Sequence, residues 1–421
     1  MKDTDTKMLV KLFNILREKI LCEHCTGRLI GKTWPTLTYR EKGLLLKAII
    51  YAYSVNIGNP SENIVERKPC EICENIFDTI NVDDLLEKVN AILEEYECDT
   101  FSTGVSIPKR IIEKEITVQK TLPSEMYVPL KRELNLLLRK VLLEKTGRKI
   151  DVNNPDIVFI FDVYRNEVNA IINPLYIYGR YRKYSRKLPQ AIWFCPTCRG
   201  RGCSRCNWTG RKYPTAINEL IGKPLMELCN AEDYKFHGSG REDVDVRMLG
   251  SGRPFIVELI KPKIRNIDLE SAEKAINEQA NGLIEVFGLR ISSSAEVEKL
   301  KERAKMTGKV YGALIESRDP IDENKLERLE QIFHNTLIKQ RTPTRVLHRR
   351  ADKVRHKMVY IVKILPIDKK MFYATIYCQG GLYVKELITG DYGRTKPSFS
   401  KALNKSLKVI KLDVLGVERY T

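Results

Sequence analysis

The stretch HGSGREDVDVRMLGSGRPF, residues 237–255, carries most of what this sequence says about fold and chemistry, because glycines flank a short charged core. In an extended backbone, alternate side chains lie on the same side, which groups Arg241, Asp243 and Asp245. A carboxylate beside arginines on a glycine-supported loop can stay ionised at neutral pH. Such a group can act as a nucleophile or as a metal ligand. A surface loop with solvated ion pairs is the alternative interpretation.

A second cluster of charge lies in RTPTRVLHRRADKVRHK, residues 341–357, which holds seven arginines and lysines against one acid, Asp352. A solvated protein surface rarely concentrates one sign of charge so strongly. We therefore predict that Arg345, Arg349 and Arg350 contact the phosphates of a nucleic acid.

The segment YIYGRYRKYSRK, residues 176–187, interleaves five arginines and lysines with four tyrosines. Cations beside aromatic rings suit phosphates and unstacked bases, so we predict that Arg180, Arg182 and Lys183 bind RNA. A solvated basic linker between two domains is the alternative interpretation.

The composition of the whole chain also favours a polyanionic partner. Its 421 residues include 72 lysines and arginines against 54 aspartates and glutamates, a formal net charge of +18. The length predicts two or three domains, and a hydrophobic fraction of 43% excludes a wholly disordered chain. We expect no membrane partner, because charges interrupt the apolar runs well before the ~18 residues of a membrane span. The polar N-terminal residues MKDTDTKMLV show no secretory signal, so we expect a cytoplasmic protein.

Eight of the eleven cysteines lie in four C-x-x-C pairs. In a long chain without a secretory signal, such pairs indicate zinc sites rather than a disulfide framework. Two pairs can close one tetrahedron around a metal, which predicts two structural zinc ions. The expected ligands are Cys22, Cys25, Cys70, Cys73, Cys195, Cys198, Cys203 and Cys206.

The last four of these cysteines lie within CPTCRGRGCSRC, residues 195–206, where Gly200 and Gly202 permit a tight turn. This spacing predicts a single zinc in a small ribbon-like knob. Cross-pairing among the four C-x-x-C turns stays open at this point. His24, inside the first pair, is expected to be a bystander because four thiolates are already available.

Hydrophobic periodicity predicts helices in the N-terminal part and alternating helices and strands after it. The predicted helices cover residues 8–20, 39–55, 82–97, 269–286 and 319–336. The predicted strands cover residues 156–163, 167–172, 254–260, 309–316, 357–365, 371–378 and 408–418. A turn is expected at Asn166, between the first two strands.

The segment GREDVDVRMLGSGRPF strongly resembles the active-site segment of the archaeal and eukaryotic tRNA pseudouridine synthases that modify positions 54 and 55 of the TΨC arm. KVYGALI, TPTRVLHRR and GLYVKELITGDYGRTKP match that family in the same order along the chain. The likeness runs from about residue 176 to residue 421. It extends more loosely to the N-terminal cysteine pairs, which fit the accessory domain of the family with its THUMP-like RNA-binding module. The cluster at 195–206 resembles a zinc element that only some members carry.

The resemblance implies an α+β protein of two domains. Residues 187–421 would form the pseudouridine synthase catalytic domain, a mixed, largely antiparallel sheet with flanking helices. Residues 1–186 would form a zinc-bound α/β accessory domain that contains the THUMP-like module. The partner would be tRNA, bound through its TΨC arm, and the protein would be a monomer.

The resemblance also implies roles for individual residues. Asp243 would be the catalytic carboxylate, and Tyr311 would stack on the target base. Tyr383 would line the uridine pocket, while Lys385 would pair with Asp243 and keep it anionic. Further substrate contacts would come from Arg241, Leu387 and Leu412.

The chemistry of this reaction agrees with the motifs. Conversion of uridine to pseudouridine breaks the glycosidic bond, turns the base and rejoins it through C5, so no atom enters or leaves and no organic cofactor is expected. The carboxylate can attack C1′ or assist formation of a glycal, and the sequence does not choose between them. Two alternatives remain. One is a non-catalytic, zinc-containing tRNA-binding protein, and the other is a metal-dependent nuclease built on Glu242, Asp243 and Asp245.

Overall fold

A computed structural model of the chain shows two units. They are Met1–Asn173 and Pro174–Thr421. The structure describes residues 3–65, 68–123, 126–303 and 307–417. The side chains of residues 3–7 and of Arg349 lie outside this description. The division precedes the boundary expected after residue 186, because the strand Leu175–Lys183 is hydrogen-bonded on both edges within the sheet of the second unit.

Helices make up most of the first unit. Within the described residues they are α1 (Asp3–Glu18), α2 (Glu23–Arg28), α3 (Tyr39–Asn56), α4 (Ile76–Thr79), α5 (Val82–Glu95), α6 (Lys109–Gln119) and α7 (Leu130–Thr146). The three helices predicted in this unit are confirmed, although α1 begins before residue 8. A capping box explains the start of α3: the Thr38 hydroxyl accepts from the Glu41 amide, and the Glu41 carboxylate accepts from the Thr38 amide.

Two glycines allow α2 and α3 to pack backbone against backbone. A Cβ atom on Gly27 would lie 1.7 Å from the carbonyl oxygen of Tyr39. A Cβ atom on Gly43 would lie 1.7 Å from that of Glu23. A larger residue at either position would force the two helices apart, so this contact fixes the helix that begins at the first C-x-x-C pair.

The first unit also contains a small sheet with the strand order β2–β1–β3–β4. The strands are β1 (Thr100–Ser106), β2 (Lys149–Ile150), β3 (Ile157–Asp162) and β4 (Glu167–Ile172). β1 pairs in parallel with β2 and β3, whereas β3 and β4 form an antiparallel hairpin. The predicted turn is confirmed at Asn166, whose φ is 55°. This unit is therefore α/β, as predicted.

The second unit contains a large sheet and shorter helices. Its described helices are α8 (Ile217–Leu228), α9 (Leu269–Gln279), α10 (Ser294–Arg303), α11 (Glu323–Ile332), α12 (Val384–Thr389) and α13 (Phe399–Leu403). Its described strands are β5 (Leu175–Lys183), β6 (Asp233–Gly238), β7 (Arg247–Ile260), β8 (Ile284–Ser292), β9 (Gly308–Ser317), β10 (Thr336–Arg341), β11 (Val354–Pro366), β12 (Met371–Gln379), β13 (Thr395–Lys396) and β14 (Leu407–Val417). No helix among the described residues of the chain is long and apolar enough to cross a membrane.

The large sheet has the order β13–β10–β11–β12–β9–β14–β7–β5–β8, and β6 pairs with β7. Among the described strands of this large sheet, only β7 and β14 pair in parallel, and the other pairs are antiparallel. Helices such as α9 and α11 pack on this sheet and close one continuous hydrophobic core. The predicted mixed, largely antiparallel sheet with flanking helices is confirmed.

One alternative interpretation and the ends of two predicted helices differ from the structure: the helix predicted over 319–336 covers only Glu323–Ile332, and Thr336 already begins β10. Most of segment 176–187 is the strand β5 rather than a linker, because Ile177, Tyr181 and Lys183 turn alternate side chains into the core. The helix predicted to reach residue 286 ends at Gln279. Asn281 and Gly282 then adopt left-handed conformations with φ of 44° and 71°, which reverse the chain into β8.

Candidate active site

Asp243 lies in the loop 239–246 that joins β6 to β7. Gly240, at a φ of 78°, gives the loop a left-handed turn, and a Cβ atom there would lie 3.2 Å from Nη1 of Arg253. The amide of Val246 donates to the carbonyl of Asp243 at 3.1 Å. The Asp243 carboxylate remains 32% exposed, so it can reach a bound molecule.

A buried ion pair supports this loop. Nε of Arg253 donates to Glu242 at 2.7 Å, and both side chains are 1% exposed. The Tyr181 hydroxyl donates to Glu242 at 3.0 Å, and Nη1 of Arg253 donates to the carbonyl of Ser239 at 2.6 Å. Burial and the charge of Glu242 raise the pKa of Tyr181, so this phenol stays protonated. This network cannot be read from local sequence, since its partners come from β5, β7 and the loop.

Lys183 holds the loop 239–246 and does not face solvent. Its side chain is fully buried, and its ammonium group donates to the carbonyls of Leu188, Asp243 and Val244 at 3.0, 3.1 and 2.9 Å. Burial lowers the pKa of Lys183 to about 8. The RNA contact predicted at Lys183 does not fit its buried position, because Ile177, Tyr181 and Lys183 lie on the side of β5 that faces the core.

The two neighbouring arginines are also engaged within the protein. Arg180 is 9% exposed and donates to the carbonyls of Ser251 and Gly252. Arg182 pairs with Glu285 at 2.9 Å and keeps about a third of its side chain exposed. Of the three RNA contacts predicted on β5, only Arg182 retains a surface that RNA could reach.

The carboxylate of Asp243 has two cationic neighbours. Nη1 of Arg345 lies 2.9 Å from it, while Nζ of Lys385 lies 3.6 Å away. Burial opposes the charge of Arg345, but Glu386 at 2.6 Å and Asp243 raise the pKa of this guanidinium above its usual value. The predicted contact with Lys385 is present. Arg345, predicted to bind phosphate, is the nearer of the two cations.

Lys385 is closer to Asp245 than to Asp243. Its ammonium group donates to both oxygens of Asp245, at 2.7 and 2.8 Å. Burial opposes ionisation of Asp245, but the hydrogen bond and charge of Lys385 lower the pKa of this carboxyl. Lys385 therefore bridges the two aspartates of the loop and fixes their separation.

A cavity of about 630 Å³ opens beside Asp243. Four of the residues predicted to contact substrate line it: Tyr311, Tyr383, Leu412 and Arg241. Burial raises the pKa of Tyr311, which keeps its hydroxyl protonated. The predicted contact from Leu387 is not found. That side chain is fully buried in the core because it faces away from the cavity on α12, and the neighbouring Leu382, Val346 and Val414 supply apolar wall instead.

The cavity also contains a buried lysine that the sequence analysis missed. Lys309 is 6% exposed and lies two residues before Tyr311 on β9, so both side chains face the cavity. Burial lowers the pKa of Lys309 to about 7, and the nearby Arg253 contributes in the same direction. The spacing within KVYGALI could have indicated this residue, since alternate residues of a strand share one side.

The basic cluster at 341–357 borders the same cavity. Arg345 and Arg350 both line it and are exposed, and Arg350 donates to the hydroxyl of Tyr383 at 2.7 Å. Arg355 and Lys357 add further positive charge to its wall. The predicted contact of Arg349 lies outside the described side chains.

The geometry disfavours the nuclease hypothesis. Glu242 is buried against Arg253, while Asp243 and Asp245 point at Arg345 and Lys385. A divalent cation would have to displace these positive partners. Among the described residues, the groups of side chains close enough to hold a metal ion consist of cysteines.

The eight cysteines separate into two groups of four, which resolves their pairing. Cys22, Cys25, Cys70 and Cys73 form the first group, and the sulfur atoms of each group lie within 4.8 Å of one another. Zinc–sulfur bonds of ~2.3 Å in a tetrahedron require sulfurs about 3.8 Å apart, so both groups fit a tetrahedral metal. His24 stacks on a phenylalanine ring at 3.9 Å and hydrogen-bonds to Glu133, and it is a bystander as predicted.

The second group is Cys195, Cys198, Cys203 and Cys206. Backbone amides of Cys203 and Gly210 both donate to the sulfur of Cys206 at 3.3 Å, an arrangement that favours a thiolate. Gly200 and Gly202 have φ of 100° and 91°, which confirms the predicted turn. We call residues 193–213 the cysteine knob.

Comparison with known proteins gives a consistent picture. The family model described as the C-terminal part of Pus10 matches residues 176–418, and the model of the archaeal Pus10 THUMP domain matches residues 85–162. A tRNA pseudouridine synthase Pus10 from Methanocaldococcus jannaschii is 40% identical, covering 98% of this chain and 95% of that protein. Those from Methanothrix thermoacetophila and Methanopyrus kandleri are 37% and 36% identical, covering 96% and 97% of this chain and 93% and 98% of theirs.

Proposed function

Because this chain belongs to the Pus10 family, we propose that it converts uridine to pseudouridine in tRNA, at position 54, position 55 or both in the TΨC arm. One observation supports this most strongly. The Asp243 carboxylate, 2.9 Å from Arg345, stands at the wall of a cavity that Tyr311 and Leu412 also line. This arrangement places a carboxylate with two cationic neighbours beside a nucleoside-sized space.

The reaction needs one carboxylate and no net exchange of atoms. The bond between C1′ and N1 of the target breaks, the freed uracil turns within the cavity, and a bond forms between C1′ and C5. The proton leaves C5, and N1 gains one. Asp243 either attacks C1′ directly or removes a sugar proton to give a glycal. The positive charges of Arg345 and Lys385 stabilise the negative charge on the Asp243 carboxylate before and after each step.

The cavity must retain the base while it is detached. We propose that the ring of Tyr311 stacks on the uracil, with Leu412 as an apolar wall, because both line the cavity beside Asp243. Stacking of a base on an aromatic ring contributes ~1–3 kcal/mol, which offsets part of the cost of extracting the nucleotide from its loop. Tyr383, held by Arg350, closes the cavity from another side.

The basic residues at the rim suit the RNA backbone. Arg241 and Arg350 are exposed at the cavity, and we propose that they contact phosphates flanking the target, together with Arg349 and Arg182. For Arg241 and Arg350 this role follows from their charge and their place at the cavity, for Arg182 from its partly exposed side chain, and for Arg349 from its charge alone. Lys183 and Arg180 act instead as positioning residues of the catalytic loop and of β7.

We propose that each group of four cysteines holds one structural zinc ion. The sulfur separations fit tetrahedral coordination, and zinc bound by four thiolates supplies folding stability with no open position for chemistry. None of the residues to which we assign a part in the reaction is a cysteine. The reducing cytoplasm keeps thiols available to bind zinc, and it also contains tRNA, so we propose that the protein acts there. We also propose that it is a monomer.

Mapping of pseudouridine tests the proposal directly. Unmodified tRNA transcripts would be incubated with the protein or with Asp243→Asn, then labelled with carbodiimide to locate pseudouridine. We expect new pseudouridine at position 54 or 55 with the protein and none with the variant. Transcripts carrying cytidine at one of the two positions would show which is used. A protein that binds tRNA and yields no pseudouridine would support the non-catalytic alternative.

A further inference from the structure

A second cavity meets the first at the catalytic residue. Its volume is about 870 Å³, within the range of ~300–1,000 Å³ typical of small-molecule sites. Asp243, Arg345 and Lys385 line both cavities, so the reactive carboxylate lies in the wall that they share. Nothing in the reaction on a single uridine uses this second space.

The cysteine knob supplies one side of the second cavity. Its two ends form an antiparallel stalk, in which the amide of Lys212 donates to the carbonyl of Trp193 at 2.9 Å and that of Cys195 donates to Gly210 at 2.8 Å. Arg211 fastens the stalk to α8 through two bonds to the buried Glu219, at 2.8 and 2.9 Å. The first of the four cysteines, Cys195, lies two residues after Trp193, and the hydrogen bonds of the stalk hold the two together.

Aromatic rings and cations line the second cavity together. Trp193 and Tyr213 meet edge to face, with ring centroids 5.7 Å apart and planes at 75°. Nζ of Lys212 lies 5.2 and 5.5 Å from the two rings. Lys187, from the segment after β5, adds a further cation. An aromatic surface beside ammonium groups is the combination that binds the base and the phosphate of a single-stranded nucleotide.

We propose that this second cavity binds the nucleobase adjacent to the target uridine in the RNA chain, with Trp193 as its stacking surface. The inference rests on the proposed function, because Asp243 fixes where the target lies. Consecutive nucleosides are joined by one phosphodiester, and the two cavities share a wall. A target held in the first cavity therefore leaves its neighbour at the entrance of the second. Extraction of the target uridine removes a base against which this neighbour was stacked, and the ring of Trp193 takes the place of that base.

This inference gives the cysteine knob a function. The spacing of the cysteines at 195–206 predicts a metal site but no role in the reaction. In the structure, the knob carries Trp193 and Lys212 to a cavity that Asp243 also lines, and backbone hydrogen bonds hold the two strands of its stalk together below the four cysteines. The knob is thus a positioning element for a substrate base.

A double-mutant cycle between protein and RNA tests the inference. TΨC stem-loops would carry an abasic residue on the 5′ or the 3′ side of the target uridine, and Kd would be measured with the full-length protein and with Trp193→Ala. We expect an abasic residue on one side of the target to raise Kd about tenfold, and Trp193→Ala to raise it by the same factor. The two changes combined should raise Kd no further than either alone. The matched control is Trp208→Ala, because Trp208 lies on the same knob, is 76% exposed and lines neither cavity.

Three further results complete the test. Trp193→Phe should keep Kd within about threefold, and zinc content and melting temperature of Trp193→Ala should match the parent protein, which excludes unfolding of the knob. Additive losses at both flanking positions would overturn the inference, as would an unchanged Kd for Trp193→Ala. Failure of the proposed function would give a different result. The unaltered protein would then form no pseudouridine in the intact stem-loop, irrespective of the effect of Trp193→Ala on Kd.

Discussion

The guanidinium of Arg345 lies 2.9 Å from the carboxylate of Asp243, and the same guanidinium contacts Glu386 at 2.6 Å. Arg345 comes from the short 3-10 helix Thr344–Arg349, whereas Asp243 comes from the loop before β7. A basic residue from the cluster predicted to bind phosphate is therefore the nearest cation to Asp243. Its second contact, to the buried Glu386, holds it there in the absence of RNA.

Removal of the carboxylate should abolish the reaction. Asp243→Asn keeps the size of the side chain and loses the charge, so we expect pseudouridine formation to fall at least about 1,000-fold while Kd for tRNA changes less than threefold. Single-turnover assays and filter binding measure the two quantities. Substantial activity in this variant would place the catalytic carboxylate elsewhere.

Removal of Arg345 should affect turnover more than affinity. A hydrogen bond between charged groups contributes about 1.5–3 kcal/mol, so Arg345→Met should lower kcat roughly 10- to 100-fold. Lys353→Met is the matched control, because Lys353 lies in the same basic cluster and lines neither cavity. A change in Kd alone, with kcat intact, would return Arg345 to the phosphate-binding role that the sequence predicted.

Tyr311 should be tested for its ring and its hydroxyl separately. Tyr311→Phe retains the ring that we propose to stack on uracil, and Tyr311→Ala removes it. We expect the alanine variant to lose about tenfold or more in turnover with little change in tRNA affinity, and the phenylalanine variant to lose less. Equal losses of turnover and affinity in Tyr311→Ala would contradict a role in holding the detached base.

The buried Lys309 should make stability depend on pH. Burial lowers the pKa of Lys309 to about 7, below the value of about 10.4 in an unfolded chain. Between these values the unfolded state binds more protons, so this residue makes stability rise with pH from about 7 to 10. Below pH 7 the buried charge is a destabilising feature of the folded state.

Lys309→Met removes that charge. We expect the free energy of unfolding, measured in urea, to exceed that of the parent protein by a few kcal/mol at pH 6, with a smaller difference at pH 9. Lys363→Met provides the comparison, because Lys363 lies on the exposed side of β11. A difference that is the same at both pH values would show that packing, not charge, explains the effect.

The two cysteine groups should bind zinc independently. Elemental analysis of the purified protein should give about two zinc ions per chain, and Cys22→Ser or Cys203→Ser should each leave about one. Cys22→Ser should also destabilise the first unit, since its group lies within the core of that unit, without loss of Asp243 chemistry on a minimal stem-loop. Zinc content near zero in the parent protein would refute the assignment.

The sequence determined the fold class by itself, together with seven of the fourteen strands that the structure shows among the described residues. Alternation in segments such as 371–378 predicts strands because residues two apart must share a face, and the C-x-x-C spacing predicts metal sites because each turn presents two thiolates together. These signals are local, so they can be read without knowledge of the rest of the chain. Family resemblance added Asp243, Tyr311 and Leu412, which the structure places around one cavity.

Only the tertiary structure decided which charges meet. Arg345 and Lys183 have the same charge and similar basic neighbours in sequence, yet one faces Asp243 at the cavity and the other is buried beneath the loop. Leu387 and Leu412 are equally apolar, but α12 turns Leu387 into the core. A side chain's partner depends on how distant strands pair and on which face it occupies, and neither is fixed by local residue order. The same pairing places Trp193 beside the active site.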